Sequence, residues 1–400
     1  MLTTAGIDKL AIYTARYKFS LDALAVERNI DPNKYSQGLG QYEMSVPPPG
    51  EDIVTLATNA AQQALQGVDL NSIEMLLFAT ESGIDYSKSA GTYVHELLNL
   101  SPHCRIVELK QACYAGTMAL QLALPFVREN PDKKVLIIAS DIARYGLNSI
   151  GESSQGCAAV AMVIAANPRL LVVEPAFGVV TENIMDFWRP NYLSEALVEG
   201  KYSSKMYLTM LEASWKAYQR SSQRQLSDHD YFCFHTPVPR LVEKAYQHLL
   251  KINNATATTE TLAGLEAALS YNRTIGNSYT ATLYVSLASL LENHSADFSN
   301  KRIGFYSYGS GCVAEYFSGI IQPNYQEVLQ QEFHQQMLNA RQALTYAQYA
   351  DFYQFKMPQD ASELNVPLYN VGAYRLYRFA EHKRFYQKVV APQPQPLVVD

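Results

Sequence analysis

The chain has 400 residues, 48% of them hydrophobic and 18% charged, which is enough apolar material to bury a large core. Its 32 basic and 38 acidic residues leave a formal charge of −6, which excludes the strongly basic surface that nucleic-acid binding needs. This length fits either two or three domains or a fused pair of similar halves.

Targeting signals and metal motifs are not evident in the sequence. Residues 1–10 lack the basic start and apolar run of a signal peptide, and apolar stretches such as 135–139 fall far below the roughly 20 residues that span a bilayer. The five cysteines form no Cys-x-x-Cys pair, so we expect reduced thiols, a cytoplasmic location and no membrane partner. His95-Glu96 lacks a second histidine four residues on, and we predict no metal site.

Hydrophobic patterning predicts an α/β protein. Helical periodicity covers 52–65, 93–98 and 117–127, and β-branched runs that predict buried strands lie at 75–79, 105–109, 134–139, 158–165, 231–234 and 302–306. Strands that alternate with helices of about ten or more residues indicate sheets covered on both faces. Segment 326–353 is polar and helix-prone, and prolines at 392, 394 and 396 predict a flexible tail over 391–400.

Two distant segments follow a similar pattern. Residues 105–124 run from a strand through a turn into a helix of small and apolar residues, and 276–291 opens a second helix of that kind. The pattern predicts two similar halves, each with one polar residue at a helix N-terminus facing a shared centre. Because such helices are common in unrelated α/β cores, the pattern alone leaves both interpretations open.

Cys113 stands directly between a predicted strand and a predicted helix, in the segment Ala112-Cys-Tyr-Ala-Gly116. The N–H groups and the positive dipole of a helix N-terminus favour thiolate over thiol and can hold a developing oxyanion. We therefore expect a nucleophilic cysteine with a lowered pKa, although most cysteines in α/β cores are only structural.

Three further turns follow predicted strands and offer groups for catalysis. His235 comes directly after strand 231–234 and could act as an acid or donate a hydrogen bond to a carbonyl. Glu81 follows strand 75–79 and could serve as a general base once desolvated, although solvated loop carboxylates are commoner. The turn 306–312 can present backbone N–H groups, but it is not the Gly-x-Ser-x-Gly elbow of serine hydrolases.

Read together, these motifs resemble the 3-hydroxy-3-methylglutaryl-CoA (HMG-CoA) synthase family, most strongly its bacterial form. The resemblance spans roughly residues 5–355. It is carried by Thr80-Glu-Ser-Gly-Ile-Asp85, Glu108-Leu-Lys-Gln-Ala-Cys-Tyr-Ala-Gly-Thr117, Phe234-His-Thr-Pro237, Gly276-Asn-Ser-Tyr-Thr280 and Ser307-Tyr-Gly-Ser-Gly311, with supporting segments at 38–44, 139–145 and 186–192.

The resemblance implies a thiolase-like, five-layer αβαβα fold made of two similar halves. The first half, residues 1–166, would carry Glu81 and Cys113. The second half, residues 167–390, would carry His235 and Asn277 together with a C-terminal helical region.

The resemblance also implies the reaction: acetyl-CoA, acetoacetyl-CoA and water give HMG-CoA and CoA, as in the mevalonate route, without a metal or organic cofactor. Cys113 would carry the acetyl group, Glu81 would deprotonate its methyl group and later protonate the new alkoxide, and His235 would polarise the ketone of the second substrate. The substrate-binding residues that the resemblance implies are Tyr145, Asp186, Asn277 and the backbone at Ser310. Relatives of this kind are usually homodimers.

The chain departs from the family pattern after Pro237. The family commonly has an aromatic residue next and a lysine three positions beyond the proline, whereas this chain has Val238 and Arg240. Arg240 keeps the positive charge and Lys244 adds another, so both are candidates for binding a CoA phosphate. An exposed surface position is an equally good interpretation of Lys244.

A close alternative is a relative that adds β-branches to polyketide intermediates carried on acyl carrier proteins. The variant turn 307–312 and the tyrosine-rich C-terminal region suggest that group, whereas segments 38–41 and 186–192 and Arg240 favour the CoA enzyme.

Two remoter alternatives are an inactive paralogue acting as a binding partner and a degradative thiolase. The intact set of Glu81, Cys113 and His235 argues against the first. Cys312 could suggest the second cysteine of a thiolase, but we interpret it as a small core residue.

Overall fold

The computed structural model describes residues 3–389, which form seventeen β-strands and eleven α-helices. The strands are β1 Ala5–Tyr13, β2 Tyr17–Ser20, β3 Glu43–Val46, β4 Ile73–Ala79, β5 Arg105–Leu109, β6 Lys134–Ile142, β7 Cys157–Ala166, β8 Leu171–Thr181, β9 Phe187–Trp188, β10 Leu197–Val198, β11 Tyr231–Phe234, β12 Arg302–Gly309, β13 Val313–Ile321, β14 Gln342–Ala343, β15 Leu364–Asn365, β16 Tyr374–Ala380 and β17 Lys383–Lys388. The helices are α1 Leu21–Glu27, α2 Asn33–Ser36, α3 Ile53–Ala64, α4 Gly91–Leu97, α5 Ala115–Glu129, α6 Gly200–Ser222, α7 Pro239–Ile252, α8 Thr259–Ile275, α9 Thr282–Asn293, α10 Gln331–Asn339 and α11 Tyr346–Gln354.

The central sheet has nine strands in the order β11-β12-β13-β8-β1-β7-β6-β4-β5. Its two parts share one pattern: β1–β7 and β7–β6 are antiparallel and β6–β4 is parallel, and β8–β13 and β13–β12 are antiparallel and β12–β11 is parallel. The parts join where β1 and β8 pair, at Gly6 with Val172 and Ile7 with Leu171. The sheet is therefore built from two copies of one motif.

Helices cover both parts of the sheet on both faces. Helix α3 packs on β7, β1 and β6 from one side, and α6 packs on β8 and β13. Helices α5 and α9 fill the inner layer, since α5 packs on β6 and β7 and α9 packs on β11, β12 and β1. This arrangement confirms the predicted five-layer αβαβα fold of two similar halves. Cys113 precedes α5 and Asn277 precedes α9, so the two residues hold corresponding places in the repeat.

The predicted strands and helices are all present, and the elements that were missed carry polar residues. Strand β1 contains Asp8, whose carboxylate pairs with Arg169 at 2.6 Å. Strand β8 contains Glu174 and Pro175, which interrupt its apolar pattern. Helix α6 has 23 residues but a largely polar outer face. None of the helices within residues 3–389 is long and apolar enough to cross a membrane.

The residues after 340 pack on the first half of the molecule. Strand β14 pairs with β2, β16 packs on α3, and β17 packs on α4. Tyr386 donates a 2.7 Å hydrogen bond to Oδ2 of Asp52, the residue that caps α3. The C-terminal region is therefore helical only in part, because it ends in the β16–β17 hairpin. The predicted tail, 391–400, lies outside the described residues.

This packing bears on how the chain is divided. We propose that the boundary between residues 166 and 167 separates the two copies of the sheet motif, because it falls between β7 and β8. Residues 341–389 then belong to the second segment of the chain but lie on the first half.

Candidate active site

Cys113 and Glu81 meet at one edge of the central sheet. Glu81 follows β4 and Cys113 follows β5, and because these neighbouring strands are parallel, both turns leave the sheet at the same edge. Sγ of Cys113 donates a 2.9 Å hydrogen bond to Oε1 of Glu81. Ala112, with φ of +43°, bends the chain sharply before Cys113, and α5 begins at Ala115. The predicted nucleophile and the predicted base are thus in contact.

The electrostatics of this pair overturn one expectation from the sequence. Burial and the carboxylate of Glu81 raise the pKa of the Cys113 thiol well above its usual value, whereas the helix N-terminus predicted a lowered pKa. Burial and the charge of Asp141 raise the pKa of Glu81 to about 8. Because two negative charges at this distance are strongly unfavourable, the sulfur keeps its proton while Glu81 is ionised. The geometry therefore offers Cys113 an adjacent base and not an acidic thiol.

Asp141, near the end of β6, fixes the loop that carries Glu81. Its Oδ1 accepts 2.9 Å hydrogen bonds from the N–H groups of Glu81 and Ser82 and a 2.8 Å bond from the hydroxyl of Thr80. Its Oδ2 accepts a 3.1 Å bond from the N–H of Thr280, in the second half of the molecule. This fully buried carboxylate ties the base loop to the opposite half.

His235 lies at the end of β11, the place in the second half that corresponds to the turn after β4. The side chain is buried, and this burial lowers the pKa of His235 to about 3, so the imidazole is neutral near pH 7. Nδ1 lies 2.6 Å from Oγ1 of Thr282. Within residues 3–389 His235 makes no hydrogen bond to Cys113 or Glu81. Thr282 links it to that pair indirectly. The hydroxyl of Thr282 lies 3.1 Å from the carbonyl oxygen of Tyr279, and Tyr279 packs beside Cys113.

Tyr145 forms part of an apolar wall beside the Cys113 sulfur. Tyr145, Tyr279 and Phe187 pack together, with ring centroids 6.1 Å apart for Tyr145–Phe187 and 5.7 Å for Phe187–Tyr279. Asn277 is buried next to this wall, and its Oδ1 accepts a 2.9 Å hydrogen bond from the N–H of Tyr279. The side-chain nitrogen Nδ2 of Asn277 donates to no group among residues 3–389, which leaves this donor free for a ligand.

The turn that contains Ser310 lies directly against the Cys113 turn. The side-chain nitrogen Nε2 of Gln111 donates a 3.3 Å hydrogen bond to the carbonyl oxygen of Ser310. A Cβ atom at Gly309 would lie 2.5 Å from the carbonyl oxygen of Gln111 and 2.7 Å from the nitrogen of Tyr114. Only glycine permits this approach, so Gly309 allows the two halves to meet at the site.

Asp186 holds the same turn from the other side. The fully buried carboxylate accepts a 2.9 Å hydrogen bond from the N–H of Gly311 and a 2.7 Å bond from the hydroxyl of Tyr308. These hydrogen bonds fix the turn that contains Ser310, and both carboxylate oxygens of Asp186 accept hydrogen bonds from protein groups.

The chain matches one protein family over nearly all of its described length. Residues 3–169 match the profile "Hydroxymethylglutaryl-coenzyme A synthase N terminal", and residues 171–270 and 254–363 match "Hydroxymethylglutaryl-coenzyme A synthase C terminal". The chain belongs to the hydroxymethylglutaryl-CoA synthase family. This is a family of transferases that condense acetyl-CoA with acetoacetyl-CoA.

Relatives of this synthase include proteins of both the CoA and the polyketide type. The chain is 42% identical to the hydroxymethylglutaryl-CoA synthase of Enterococcus faecalis, across 86% of this chain and 90% of that protein. It is 34% identical to the polyketide biosynthesis 3-hydroxy-3-methylglutaryl-ACP synthase PksG of Bacillus subtilis, across 82% of each. A solved HMG-CoA synthase complexed with CoA superposes with a TM-score of 0.92 at 37% identity, covering 96% of this chain and all of that one.

In this synthase Arg240 and Lys244 line a cleft between α7 and α8 that also contains Glu243 and Glu266. Arg240 donates from Nε and Nη2 to the carbonyl oxygen of Gln37, at 2.9 and 2.7 Å, and from Nη1 to Glu243. Lys244 is exposed and makes no hydrogen bond within residues 3–389. Binding of a CoA phosphate by these two residues stays a prediction.

Sequence reasoning missed three contributors to this synthase site, Asp141, Arg189 and Thr282. Arg189 donates a hydrogen bond to the backbone oxygen of Glu81. Asp141 and Arg189 lie within the segments 139–145 and 186–192, and a charged residue at the end of an apolar strand was the available signal for Asp141. Thr282 carries no such signal, because a threonine at the start of a helix is ordinary.

Proposed function

We propose that this chain condenses acetyl-CoA with acetoacetyl-CoA and water to give HMG-CoA and free CoA through an acetyl-Cys113 intermediate. The contact that carries this proposal is the 2.9 Å hydrogen bond between Sγ of Cys113 and Oε1 of Glu81. It joins a nucleophile to a carboxylate whose pKa burial raises to about 8, and a base is most effective when its pKa lies near the working pH.

In the first step the sulfur of Cys113 attacks the carbonyl carbon of acetyl-CoA. The thiol proton passes to Glu81 as the new carbon–sulfur bond forms. Glu81 then gives that proton to the CoA sulfur as the bond between the carbonyl carbon and CoA breaks, so free CoA leaves and Glu81 is ionised again. The N–H of Ser310 donates to no group among residues 3–389. It lies in the turn against Cys113, which suits it to bind the oxyanion.

In the second step Glu81 removes a proton from the methyl group of the acetyl thioester, and the resulting enolate carbon attacks the ketone of acetoacetyl-CoA. The neutral imidazole of His235 donates a hydrogen bond to that ketone oxygen, and Glu81 returns its proton to the alkoxide that forms. Water then cleaves the thioester to Cys113. A placed base and a preorganised oxyanion site each contribute roughly 100-fold or more to such a reaction.

The remaining predicted residues shape the pocket in this scheme. Tyr145 closes the apolar side of the acetyl group, and the free amide nitrogen of Asn277 donates to an oxygen of the acetoacetyl group. Asp186 acts indirectly, by holding the turn that contains Ser310. Lys244 meets a CoA phosphate from its exposed position, with Arg240 beside it.

We propose CoA thioesters as the substrates, in preference to intermediates on a carrier protein. The higher identity to the Enterococcus enzyme, 42% against 34% for the polyketide synthase, supports this choice. Assay of HMG-CoA formation with free acetoacetyl-CoA tests it, with acetoacetyl-carrier protein as the parallel substrate. Turnover that depends on the carrier protein would favour the polyketide function.

Labelling with radioactive acetyl-CoA tests the intermediate. The native protein should retain acid-stable label on the peptide containing Cys113, and Cys113→Ala should retain none. Cys104→Ser is the matched control, because it removes another partly exposed thiol of the first half and should label normally. Absence of label on the native protein would refute the proposal and favour an inactive paralogue.

We further propose that the protein is a cytoplasmic homodimer. We also propose that it needs no cofactor, since every group used above belongs to the chain. Strand β5 is the outer strand of the first half, and its Val107 is 45% exposed, which suits pairing with a second copy. Light scattering coupled to size-exclusion chromatography should give twice the chain mass of 44.8 kDa. A chain mass measured at micromolar concentration would contradict the dimer.

A further inference from the structure

The hydrogen bonds around His235 decide which of its ring nitrogens carries the proton. A neutral imidazole has one N–H and one acceptor nitrogen, and the partner of one nitrogen sets the state of the other. Nδ1 of His235 lies 2.6 Å from Oγ1 of Thr282. Nε2 has no hydrogen-bond partner among residues 3–389, and it is not fully enclosed by protein atoms. Nε2 is thus the nitrogen left for a ligand.

The hydroxyl of Thr282 has two possible acceptors, Nδ1 of His235 and the carbonyl oxygen of Tyr279, which lies 3.1 Å away. That carbonyl already accepts the backbone N–H of Thr282. It therefore needs no second donor, and the hydroxyl proton is free for the imidazole. Oγ1 of Thr282 also accepts a 3.1 Å hydrogen bond from the N–H of Thr236. In this arrangement the hydroxyl both donates and accepts a hydrogen bond.

The two distances favour the same assignment. Oγ1 of Thr282 lies 2.6 Å from Nδ1 of His235 and 3.1 Å from the carbonyl oxygen of Tyr279. Of its two possible acceptors, the hydroxyl is therefore closer to the imidazole. We propose that Thr282 is a positioning residue that donates its hydroxyl proton to Nδ1 and so keeps the proton of His235 on Nε2, available to the carbonyl oxygen of the second substrate.

This inference rests on the proposed function only for its catalytic consequence. In the opposite tautomer Nε2 would present a lone pair to the ketone oxygen. That lone pair would repel the oxygen and could not polarise the carbonyl group. Acetyl transfer to Cys113 does not use His235 in this scheme, so the two half-reactions should respond differently to a change at Thr282.

The substitution Thr282→Val keeps the shape of the side chain and removes the hydroxyl. We expect condensation to fall about 100-fold, because a wrongly placed histidine proton is costly in catalysis, while the rate of acetyl-CoA labelling changes less than about threefold. Thr282→Ser restores the donor and should recover most of the condensation rate. Thr58→Val is the matched control, since Thr58 is fully buried on α3 and, within residues 3–389, its hydroxyl bonds only the carbonyl oxygen of Val54.

Nitrogen-15 NMR of histidine-labelled protein reads the tautomer directly in the absence of substrate. The signals of His235, assigned with a His235→Gln variant, should show a protonated Nε2 in the native protein and a changed proton distribution in Thr282→Val. A protonated Nδ1 in the native protein overturns the inference, whatever the activity. Normal NMR behaviour in a protein that does not condense CoA substrates would instead refute the proposed function and leave the tautomer assignment standing.

Discussion

Glu81 is surrounded by groups that pull its pKa in opposite directions. Burial and the negative charge of Asp141 raise the pKa, and the hydrogen bond from Cys113 and the positive charge of Arg189 lower it. The balance leaves the pKa at about 8, so both protonation states are accessible near neutral pH. A carboxyl group in this condition can accept and return a proton within one catalytic cycle.

This pKa predicts how condensation depends on pH. Glu81 acts as a base only when it is ionised, so the condensation rate should rise as the pH increases through about 8 and level off above it. The measurement is the pH profile of kcat with both substrates saturating. In Glu81→Gln, the rate should fall at least about 100-fold and this rising limb should disappear. A residual activity that still rises through the same pH would assign the limb to another group.

At the scale of elements, α11 braces the loop that carries Tyr145. The hydroxyl of Tyr349 accepts a 2.8 Å hydrogen bond from the amide nitrogen of Gln155, whose Oε1 accepts a 2.8 Å bond from the N–H of Tyr145. Tyr353 donates to the carbonyl oxygen of Tyr145, and the Arg144 guanidinium stacks on its ring at 4.2 Å. The tyrosines of this helix thus have a defined place beside the active site.

Removal of one hydroxyl tests this brace. Tyr349→Phe leaves the buried amide of Gln155 without a partner, which should lower the free energy of unfolding by about 1–3 kcal/mol. Acetyl transfer should slow as well, because Tyr145 is less firmly held. Urea denaturation and the labelling rate measure the two effects. Tyr374→Phe is the control, since Tyr374 is buried but its hydroxyl makes no hydrogen bond within residues 3–389, and an equal effect there would contradict the brace.

At the scale of the whole molecule, the proposed active site lies where the two halves touch. In this proposal the first half supplies the nucleophile and the base, and the second supplies His235, Asn277 and the Ser310 turn. The contact is tight, because Gly309 sits against the turn of Cys113 without room for a side chain. Stability and activity should therefore depend on the same few contacts.

Gly309→Ala is the direct test of this contact. The added methyl group would lie 2.5 Å from a backbone oxygen, which cannot move cheaply. We expect a loss of about 1–3 kcal/mol or more in unfolding free energy and a large loss of condensation activity. Gly200→Ala is the matched control, since within residues 3–389 no atom beyond its chain neighbours and its own helix backbone lies within 4 Å of the added Cβ. A Gly309→Ala protein with native stability and rate would show that the halves can separate without cost.

The sequence predicts the buried strands, the inner helices and the reactive residues of the first half because these features are local. A β-branched run marks β6, and Cys113 stands at a strand-to-helix turn. The roles of Asp141 and Thr282 could not be predicted, since each depends on residues more than forty positions away in the chain. The pKa of Cys113 was predicted wrongly, because burial and the neighbouring carboxylate of Glu81 raise it.

The return of residues 341–389 to the first half has a consequence for biosynthesis. A chain emerging from the ribosome would make β2, α3 and α4 early, but β14, β16 and β17, which pack on them in turn, come some 250 residues or more later. Contacts that span so much of the chain are slow to form and leave apolar surface exposed meanwhile. The first half would therefore stay incompletely covered until residues 341–389 have been made. We expect chaperones to bind the nascent chain in this region.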